Sequence, residues 1–268
     1  MSDPSAYDVS SRPGAAEPVP AVVSLHLYGV RGLGIARAIG HMGLDRRPLR
    51  RIPGATFVKL LGTGSGRTFT PRDADPHHWG VLACWRDADG PERYESSGSH
   101  VSWSGSAYEQ GRILLRPLAS RGTWAGREPF GDPVAHRWDG PVAAITRARI
   151  KPSLWRTFWS AVPPVSGDLR SVEGLRLALG IGEAPVGLQG TISLWSSNAA
   201  LSEFAHRRSP HVEVMRRTHD VGWYAEELFA RFEILGISGT FGGVPPLDQP
   251  VPAPSTRPVP PSTTEDST

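Results

Sequence analysis

Apolar and polar residues alternate with a period of two along four short segments of the first half of the chain, a pattern typical of half-buried strands. These segments read VVSLHLYGV, ATFVKLLG, WGVLACW and ILLRPLA. Between the first two, GLGIARAIGHM carries apolar residues at helical spacing, and a longer polar, helix-compatible stretch separates the last two. The first half is therefore predicted to run β-α-β-β-α-β.

The second half follows the same order of elements. Its segments are VAAITRARI, the aromatic helix SLWRTFWSAV, RLALGIG, TISLW, the helix NAALSEFAHRRSPHVEVMRR and ELFARFEIL. Short matches also recur in register: LLGTGSG at 60–66 resembles ALGIGEA at 178–184, and the GTW at 122–124 resembles the GTF at 239–241. We therefore expect an internal repeat of two units.

Each predicted unit has the ferredoxin-like arrangement, which leaves one face of a four-stranded antiparallel sheet apolar. Two units in one chain bury these faces by closing sheet against sheet. The predicted fold is α+β, with tandem ferredoxin-like repeats that form a barrel of the dimeric α/β-barrel type. The expected boundaries are a disordered tail at 1–20, the first repeat at 21–126, a linker at 127–140, the second repeat at 141–243 and a disordered Pro-rich tail at 244–268.

Composition narrows the classes of function. The net charge is +3, and no basic run is interleaved with aromatic residues, so no nucleic-acid partner is expected. Cys84 is the single cysteine, which excludes an intramolecular disulfide and a Cys-based zinc site and favours a cytoplasmic location. No segment reaches the roughly 20 apolar residues of a membrane span. Any membrane contact is therefore expected to be peripheral.

The glycine run from Gly62 to Gly66 resembles a phosphate-binding loop, but the residues after it do not fit one. A dinucleotide fingerprint needs a helix directly after the glycines, whereas RTFTPRDADPHHWG has two prolines and no helical periodicity. The GK[ST] ending of a P-loop is also missing. The run is therefore predicted to be a strand end.

Several motifs, taken in order, resemble the spheroidene monooxygenase family. They are FVKLLGTGSGRTFTP, SRGTWAGREPF, GPVAAITRARIKPSLWRTFWSAVP, GIGEAPVGLQGTISLW, FAHRRSPHVEVMRR and WYAEELFARF, within residues 22–247. The resemblance implies a haem-containing monooxygenase that oxidises C2 of an acyclic carotenoid such as spheroidene. It also implies the use of O2 and of electrons from a reduced ferredoxin, with hydroxylation followed by ketone formation.

A protein-bound haem needs an axial ligand, and the resemblance includes the pair Pro210-His211. His211 is predicted to bind the iron and so to hold the haem, with His206 as the second candidate and His219 as the third. The alternative is that His211 only starts a helix after Pro210. The carboxylates considered as partners of the ligand are Glu183, Glu213 and Glu226.

Two strand residues are predicted to act on bound oxygen. Arg147 and His26 occupy related strands of the repeat, and alternation along the first strand could aim His26 into the barrel. The alternative is that His26 is a buried structural histidine whose hydrogen bonds are satisfied. Cys84 is predicted to be a core residue. Aromatic residues considered as the lining of a channel for a polyene are Trp155, Phe158, Trp159, Trp223 and Phe229.

Two alternatives to a carotenoid monooxygenase remain open. One is a haem enzyme of the same family that acts on a different small molecule in specialised metabolism. The other is a non-catalytic tandem barrel that binds haem or another ligand, because a family motif licenses a fold more safely than a substrate.

Overall fold

A computed structural model of the protein describes residues 17–64, 74–150, 172–183, 190–207 and 224–248. Its strands are β1 (Val22–Val30), β2 (Ala55–Gly64), β3 (Ala74–Trp85), β4 (Ala107–Gly122), β5 (Val142–Ile150), β6 (Leu175–Gly182), β7 (Gly190–Trp195) and β8 (Tyr224–Gly239). Its helices are α1 (Leu33–Leu44), α2 (Arg46–Arg50), α3 (Gly90–Glu95), α4 (Gly98–Ser104) and α5 (Asn198–Arg207). Each strand overlaps a segment in which alternation predicts one. The predicted helix SLWRTFWSAV lies outside the described residues.

The strands close into one barrel in the order β1-β3-β2-β6-β7-β5-β8-β4, and every neighbouring pair is antiparallel. The predicted α+β class is therefore confirmed. Within the barrel, β4-β1-β3-β2 lie side by side, and so do β8-β5-β7-β6. The two halves join where β2 meets β6 and where β4 meets β8. Closure leaves no open sheet edge at these strands.

The barrel interior is a packed apolar core. Every second residue of a strand faces the same side, and β1 contributes Val23, Leu25 and Leu27 to a cluster that has members from all eight strands. Cys84 belongs to this cluster and is fully buried, and burial raises the pKa of its thiol. Cys84 is therefore a core residue, as predicted. The helices α1 to α4 cover the outside of the first half, where a second apolar cluster lies.

The two glycine runs meet each other across the seam between the halves. Gly62 lies opposite Gly182, and Gly64 lies opposite Gly180, in the pairing of β2 with β6. The same segment of β2 pairs with β3 on its other edge. Residues 60–64 are therefore a strand, and the backbone there is used by the sheet. Gly66 lies outside the described residues.

The chain closes both ends of the barrel with the same kind of turn. Gly122 at the end of β4 and Gly239 at the end of β8 have positive φ angles of 87° and 74°, which glycine adopts without a steric penalty. Two residues later, Trp124 and Phe241 each form an isolated bridge three residues ahead. Both aromatic residues contact the interior core.

The described ends of the predicted tails also pack on the barrel. Arg127 donates to Glu17 at 2.6 Å, and Leu247 packs against the interior core. Composition did not predict these contacts, because both segments are rich in proline. Residues 1–16 and 249–268 lie outside the described residues, and the predicted domain boundaries stay predictions.

Candidate active site

In each half, the first residue of one strand is a valine that lies opposite a tryptophan on the neighbouring strand. Val22 lies opposite Trp85 in the first half, and Val142 lies opposite Trp195 in the second. We call the outside of β4-β1-β3-β2 the first outer face and the outside of β8-β5-β7-β6 the second outer face. Counting along β1 and β5 from these pairs compares the two faces position by position.

Large side chains fill the first outer face. His26, four residues after the starting valine, lies beside Val81, which lies beside Leu60. Two residues further, Tyr28 lies beside Trp79. All five are buried, and the helices α1 to α4 contribute further aromatic and aliphatic side chains to the same cluster. The side chains of the sheet and of its helices thus form one buried cluster on this face.

The second outer face carries small side chains at the equivalent positions. Thr146, four residues after Val142, lies beside Thr191, which lies beside Gly180. The row before it contains Ala144 and Ala178. Except for the glycine, these residues are only half-buried. The side chains of this face therefore extend less far from the sheet than His26 and Tyr28 do on the first outer face.

Arg231 borders this face and has an unused hydrogen-bond donor. It lies opposite Ala144, and its Nη1 donates to Oδ1 of Asn198, the first residue of α5, at 3.0 Å. Its Nε is buried and has no hydrogen-bond partner among the described residues. Leaving such a donor unpaired costs about 1–3 kcal/mol, so an acceptor is expected here. The helix α5 packs on the same face through Phe204, whose ring lies 5.3 Å from that of Trp195.

His26 lies on the first outer face, so the expectation that alternation aims it into the barrel is wrong. Its Nε2 lies 3.2 Å from Oε1 of Glu95, which also accepts from Arg112 at 2.9 Å. The edge of its ring meets Tyr94 at 4.6 Å. The Nδ1 atom is buried without a hydrogen-bond partner among the described residues. His26 is thus enclosed by protein on the side of the sheet that α3 covers.

The groups around His26 favour its neutral form. Burial lowers the pKa of His26, and the bond to Glu95 only partly offsets this effect. The bond from His26, with help from the charge of Arg112, holds the pKa of Glu95 at about 2 despite burial. Nearby, the Tyr28 hydroxyl lies 2.7 Å from the Tyr94 hydroxyl and 2.8 Å from Nδ1 of His100. This polar network ties β1 to α3 and α4.

Arg147 faces the barrel interior, in a group that we call the interior charge cluster: Arg147, Lys59, Glu183 and Glu226. Its Nη1 lies 2.7 Å from Oε2 of Glu226, and its Nη2 lies 3.0 Å from Oε1 of Glu183. Lys59 donates to the other oxygen of Glu183 at 2.5 Å, and the indole of Trp124 donates to Oε1. Two cations thus pair with two carboxylates beside the indole ring of Trp124.

Both carboxylates of this cluster stay ionised. Burial alone would raise the pKa of Glu226, but the Gly126 amide and Arg147 outweigh it and hold the pKa at about 2. Burial acts in the same way on Glu183, whose pKa is nevertheless lowered, first by Lys59 and then by Trp124. Glu183 and Glu226, two of the three carboxylates considered as partners of an iron ligand, are therefore already held by cations.

The structure does not bring the two predicted oxygen-site residues together. Arg147 lies inside the barrel, and His26 lies outside it on the other half. His211, His219 and Glu213 lie outside the described residues, and so do Trp155, Phe158, Trp159 and Trp223. Only the backbone of His206, in α5, is described. Among the described residues, no group of three or more His, Cys, Asp or Glu side chains could hold a metal ion.

Sequence reasoning missed the second outer face and Arg231. A signal was present, because VAAITRARI carries Thr146 and Ala148 where VVSLHLYGV carries His26 and Tyr28. Comparing the two repeats for side-chain volume at matched positions would have found it. No signal marks the unpaired donor of Arg231.

A closed antiparallel barrel with helices packed outside defines the class of α+β barrel proteins to which this chain belongs. An aldoxime dehydratase has this fold: the structures agree with a TM-score of 0.54, at 14% identity, over 89% of this chain and 92% of that one. No protein-family model matches the chain.

Curated relatives identify the family. A spheroidene monooxygenase of Rhodobacter capsulatus is 38% identical over 230 residues, which cover 84% of this chain and 95% of the relative. A spheroidene monooxygenase of Cereibacter sphaeroides is 35% identical over 228 residues, which cover 83% of this chain and 69% of the relative. The chain belongs to the spheroidene monooxygenase family and is a monooxygenase. The non-catalytic alternative is therefore set aside. In the part of the chain that the structure describes, no helix is both long and apolar enough to span a bilayer.

Proposed function

We propose that the protein is a haem-dependent monooxygenase that oxidises C2 of an acyclic carotenoid with O2 and electrons from a ferredoxin-type donor. The observation that carries the haem part is the second outer face, which combines small side chains with an unpaired donor on Arg231. The relatives' shared name supports the carotenoid part.

The residues of this face fit a haem. A flat macrocycle fits above a sheet whose side chains are Ala144, Thr146, Ala178 and Thr191, because none of them extends far from the strands. Haem also carries carboxylate groups, and the buried Nε of Arg231 is a donor suited to one of them. The proposed ligand His211 comes four residues after the end of α5, which packs on this face. When bound, haem would supply activation of dioxygen at its iron.

The proposed reaction converts a methylene group into a ketone. Each of two hydroxylations at one carbon consumes one O2, two electrons and two protons, and releases one water. The resulting gem-diol loses a further water to give the ketone. The chain's own task is to hold the hydrocarbon and to keep water away from it, since orientation and exclusion of solvent are what the protein adds to a cofactor's chemistry.

Arg147 and His26 are proposed to act as positioning residues in this scheme. Arg147 anchors the strand whose opposite face carries Thr146 and Ala148, and its two carboxylate partners fix it there. His26 fixes α3 and α4 on the outside of the first half.

We also propose that the barrel is a tandem repeat, as the recurring segments predict. Matched contacts support this proposal. The Gly126 amide binds Glu226 in one barrel-end turn, and the Gly243 amide binds Glu109 in the other, with each residue shifted by 117 from its counterpart. The strand orders of the two halves are also equivalent.

Absorption spectroscopy tests the haem proposal. The full chain, expressed with a haem precursor, should show a Soret band that is lost in His211→Ala and retained in the matched variants His206→Ala and His219→Ala. Arg231→Leu should weaken haem retention, and Arg231→Lys should restore part of it. A wild-type protein without a Soret band would overturn the proposal.

Pigment analysis tests the substrate. Cells that supply acyclic carotenoids, a ferredoxin and its reductase should accumulate a ketocarotenoid when they express the protein, and not when they express His211→Ala. Unchanged pigments in the presence of a Soret band would favour a different small-molecule substrate for the same haem enzyme.

A further inference from the structure

The helix α1 exposes an apolar side to solvent. Its buried positions are Gly34, Ala38 and Met42, which face the sheet. Among its exposed positions are Leu33, which is 81% exposed, Leu44, which is 78% exposed, and Ile39, which is 49% exposed. The other exposed positions are Ala36, Arg37, Gly40 and Gly43. Arg37 is therefore the one polar residue on the solvent side of this helix.

Positive charge surrounds this apolar side. Residues 31–51, which we call the α1–α2 surface, contain six arginines, and all six are exposed: Arg31, Arg37, Arg46, Arg47, Arg50 and Arg51. None of them forms an ion pair with a carboxylate among the described residues.

The single acidic residue of the α1–α2 surface cannot neutralise it. Asp45 is 8% exposed, and its Oδ2 accepts from Ser99 at 2.5 Å and from the indole of Trp103 at 3.1 Å. It is therefore turned into the fold and occupied there. The surface presents six guanidinium groups and three aliphatic side chains with no exposed carboxylate.

We propose that the α1–α2 surface binds an anionic lipid bilayer, with α1 lying in the plane of the interface. A helix that joins an apolar side to flanking basic residues and is too short to span behaves in this way. At 12 residues, α1 is about 18 Å long. Its leucines and isoleucine would enter the acyl boundary, while the arginines would meet lipid phosphates, to which guanidinium binds well.

The composition of the surface favours a bilayer over a protein partner. Protein interfaces are centred on aromatic anchors that fill shaped pockets, and residues 31–51 contain no Phe, Tyr or Trp. The aliphatic side chains are separated by Gly40 and Gly43. A Cβ atom added to either glycine would have no atom within 4 Å, so both glycines face open space. A fluid bilayer accepts such scattered aliphatic groups without needing a complementary shape.

This inference does not depend on haem or on the substrate, so its failure and that of the proposed function are distinguishable. If both hold, the surface would bring the enzyme to the phase in which a carotenoid is dissolved.

Co-sedimentation of the full-length protein with vesicles tests the proposal. Wild type should bind vesicles of phosphatidylglycerol and phosphatidylcholine, should bind phosphatidylcholine alone much more weakly, and should lose affinity as salt is added. Leu33→Gln with Leu44→Gln should weaken binding about tenfold, because apolar insertion is lost. Arg37→Gln with Arg50→Gln should weaken it by about fivefold per arginine.

Matched controls keep the test specific. Val134→Gln removes an aliphatic residue that is 87% exposed elsewhere on the molecule, and Arg86→Gln with Arg176→Gln makes the same change in net charge at two other exposed arginines. Both controls should bind as wild type does. Circular dichroism should show that every variant is folded.

Three results would overturn the proposal. They are no binding of wild type to anionic vesicles, equal losses in the variants and their controls, or a change of oligomeric state on Leu33→Gln with Leu44→Gln in the absence of lipid. The last would mean that a second copy of the chain covers the surface.

Discussion

The two outer faces of the barrel differ in what fills them. Beyond the shared Val–Trp pairs, the first outer face holds His26, Tyr28 and Trp79, and four short helices seal it. The second outer face holds Thr146 and Ala148 at the positions matched to His26 and Tyr28, and the position matched to Trp79 lies outside the described residues. The strand orders of the two halves are equivalent. Side-chain volume on the outside of the sheet does distinguish them.

This difference indicates that the two outer faces of one sheet contribute differently to stability. The filled face gives the barrel its stability, since large buried side chains contribute most to the free energy of unfolding. The second outer face has smaller side chains at the positions matched to His26 and Tyr28, so these positions contribute less to the free energy of unfolding. A buried polar atom without a hydrogen-bond partner among the described residues occurs on each face, Nδ1 of His26 on the first and Nε of Arg231 on the second.

The largest expected effect is the loss of stability when a large side chain is removed from the first outer face. Trp103 is fully buried, stacks on Tyr28 with ring centres 5.2 Å apart and donates to Asp45. Trp103→Ala should lower the free energy of unfolding by about 4 kcal/mol, because a large cavity is left. Urea denaturation monitored by circular dichroism measures this loss.

Trp103→Phe is the matched control for this prediction. It keeps a ring against Tyr28 and removes the indole N–H that Asp45 accepts, so it should cost only about 1–2 kcal/mol. A loss below about 1 kcal/mol for Trp103→Ala would mean that the first outer face contributes little to stability.

The second prediction concerns a phenylalanine introduced at matched positions of the two outer faces. Val81 and Thr191 occupy matched positions opposite His26 and Thr146. In the haem-free protein, Val81→Phe should destabilise by about 2–3 kcal/mol, because the site is closely packed. Thr191→Phe should cost about 1 kcal/mol or less, since Thr191 is only half-buried.

The haem-loaded protein should reverse the order of these two variants. Thr191→Phe should abolish the Soret band, because the ring would occupy the volume proposed for haem. Val81→Phe should retain the band. Thr191→Val controls for the lost hydroxyl group and should retain it as well. Equal destabilisation by the two Phe variants would show that the faces are filled to the same degree.

The sequence was sufficient for the strands and not for the direction of their side chains. Alternation in VVSLHLYGV shows that Ser24, His26 and Tyr28 share a face, but every residue of β1 is buried. When both faces of a strand are covered, the pattern of apolar residues no longer tells inside from outside. Alternation alone therefore does not decide whether His26 lies inside or outside the barrel.

The sequence did not predict contacts between residues far apart in the chain, and the reason is a different one. Lys59 and Glu183 are 124 residues apart and meet only because β2 and β6 join the two halves. No local spacing encodes such a contact. The glycine runs illustrate the same limit: each was recognised as a strand end, and their pairing with each other became visible only in the closed barrel.

The smallest expected effect is a pH dependence that belongs to the first outer face alone. His26 titrates, whereas Thr146 at the matched position of the second face does not. Glu95, Tyr94, His100 and Arg112 face His26 from the surrounding elements, and burial lowers the pKa of His26 in the folded protein. The unfolded chain therefore binds the proton at a higher pH than the folded protein does.

Stability should consequently fall as the pH drops from about 7 to 5, with a slope of at most about 1.4 kcal/mol per pH unit for this proton. His78 acts in the opposite direction, since Asp75 and Glu109 raise its pKa despite burial. His100 acts in the same direction as His26, since burial and then the charge of His26 lower its pKa. The difference between wild type and His26→Gln therefore reports His26 together with its effect on His100. Because His78 is present in both proteins, it cancels in this difference. Urea denaturation at pH 7.5, 6.5 and 5.5 should show wild type losing stability relative to His26→Gln as the solution is acidified. A constant difference would mean that the buried His26 keeps an ordinary pKa, with Glu95 compensating fully for its loss of water.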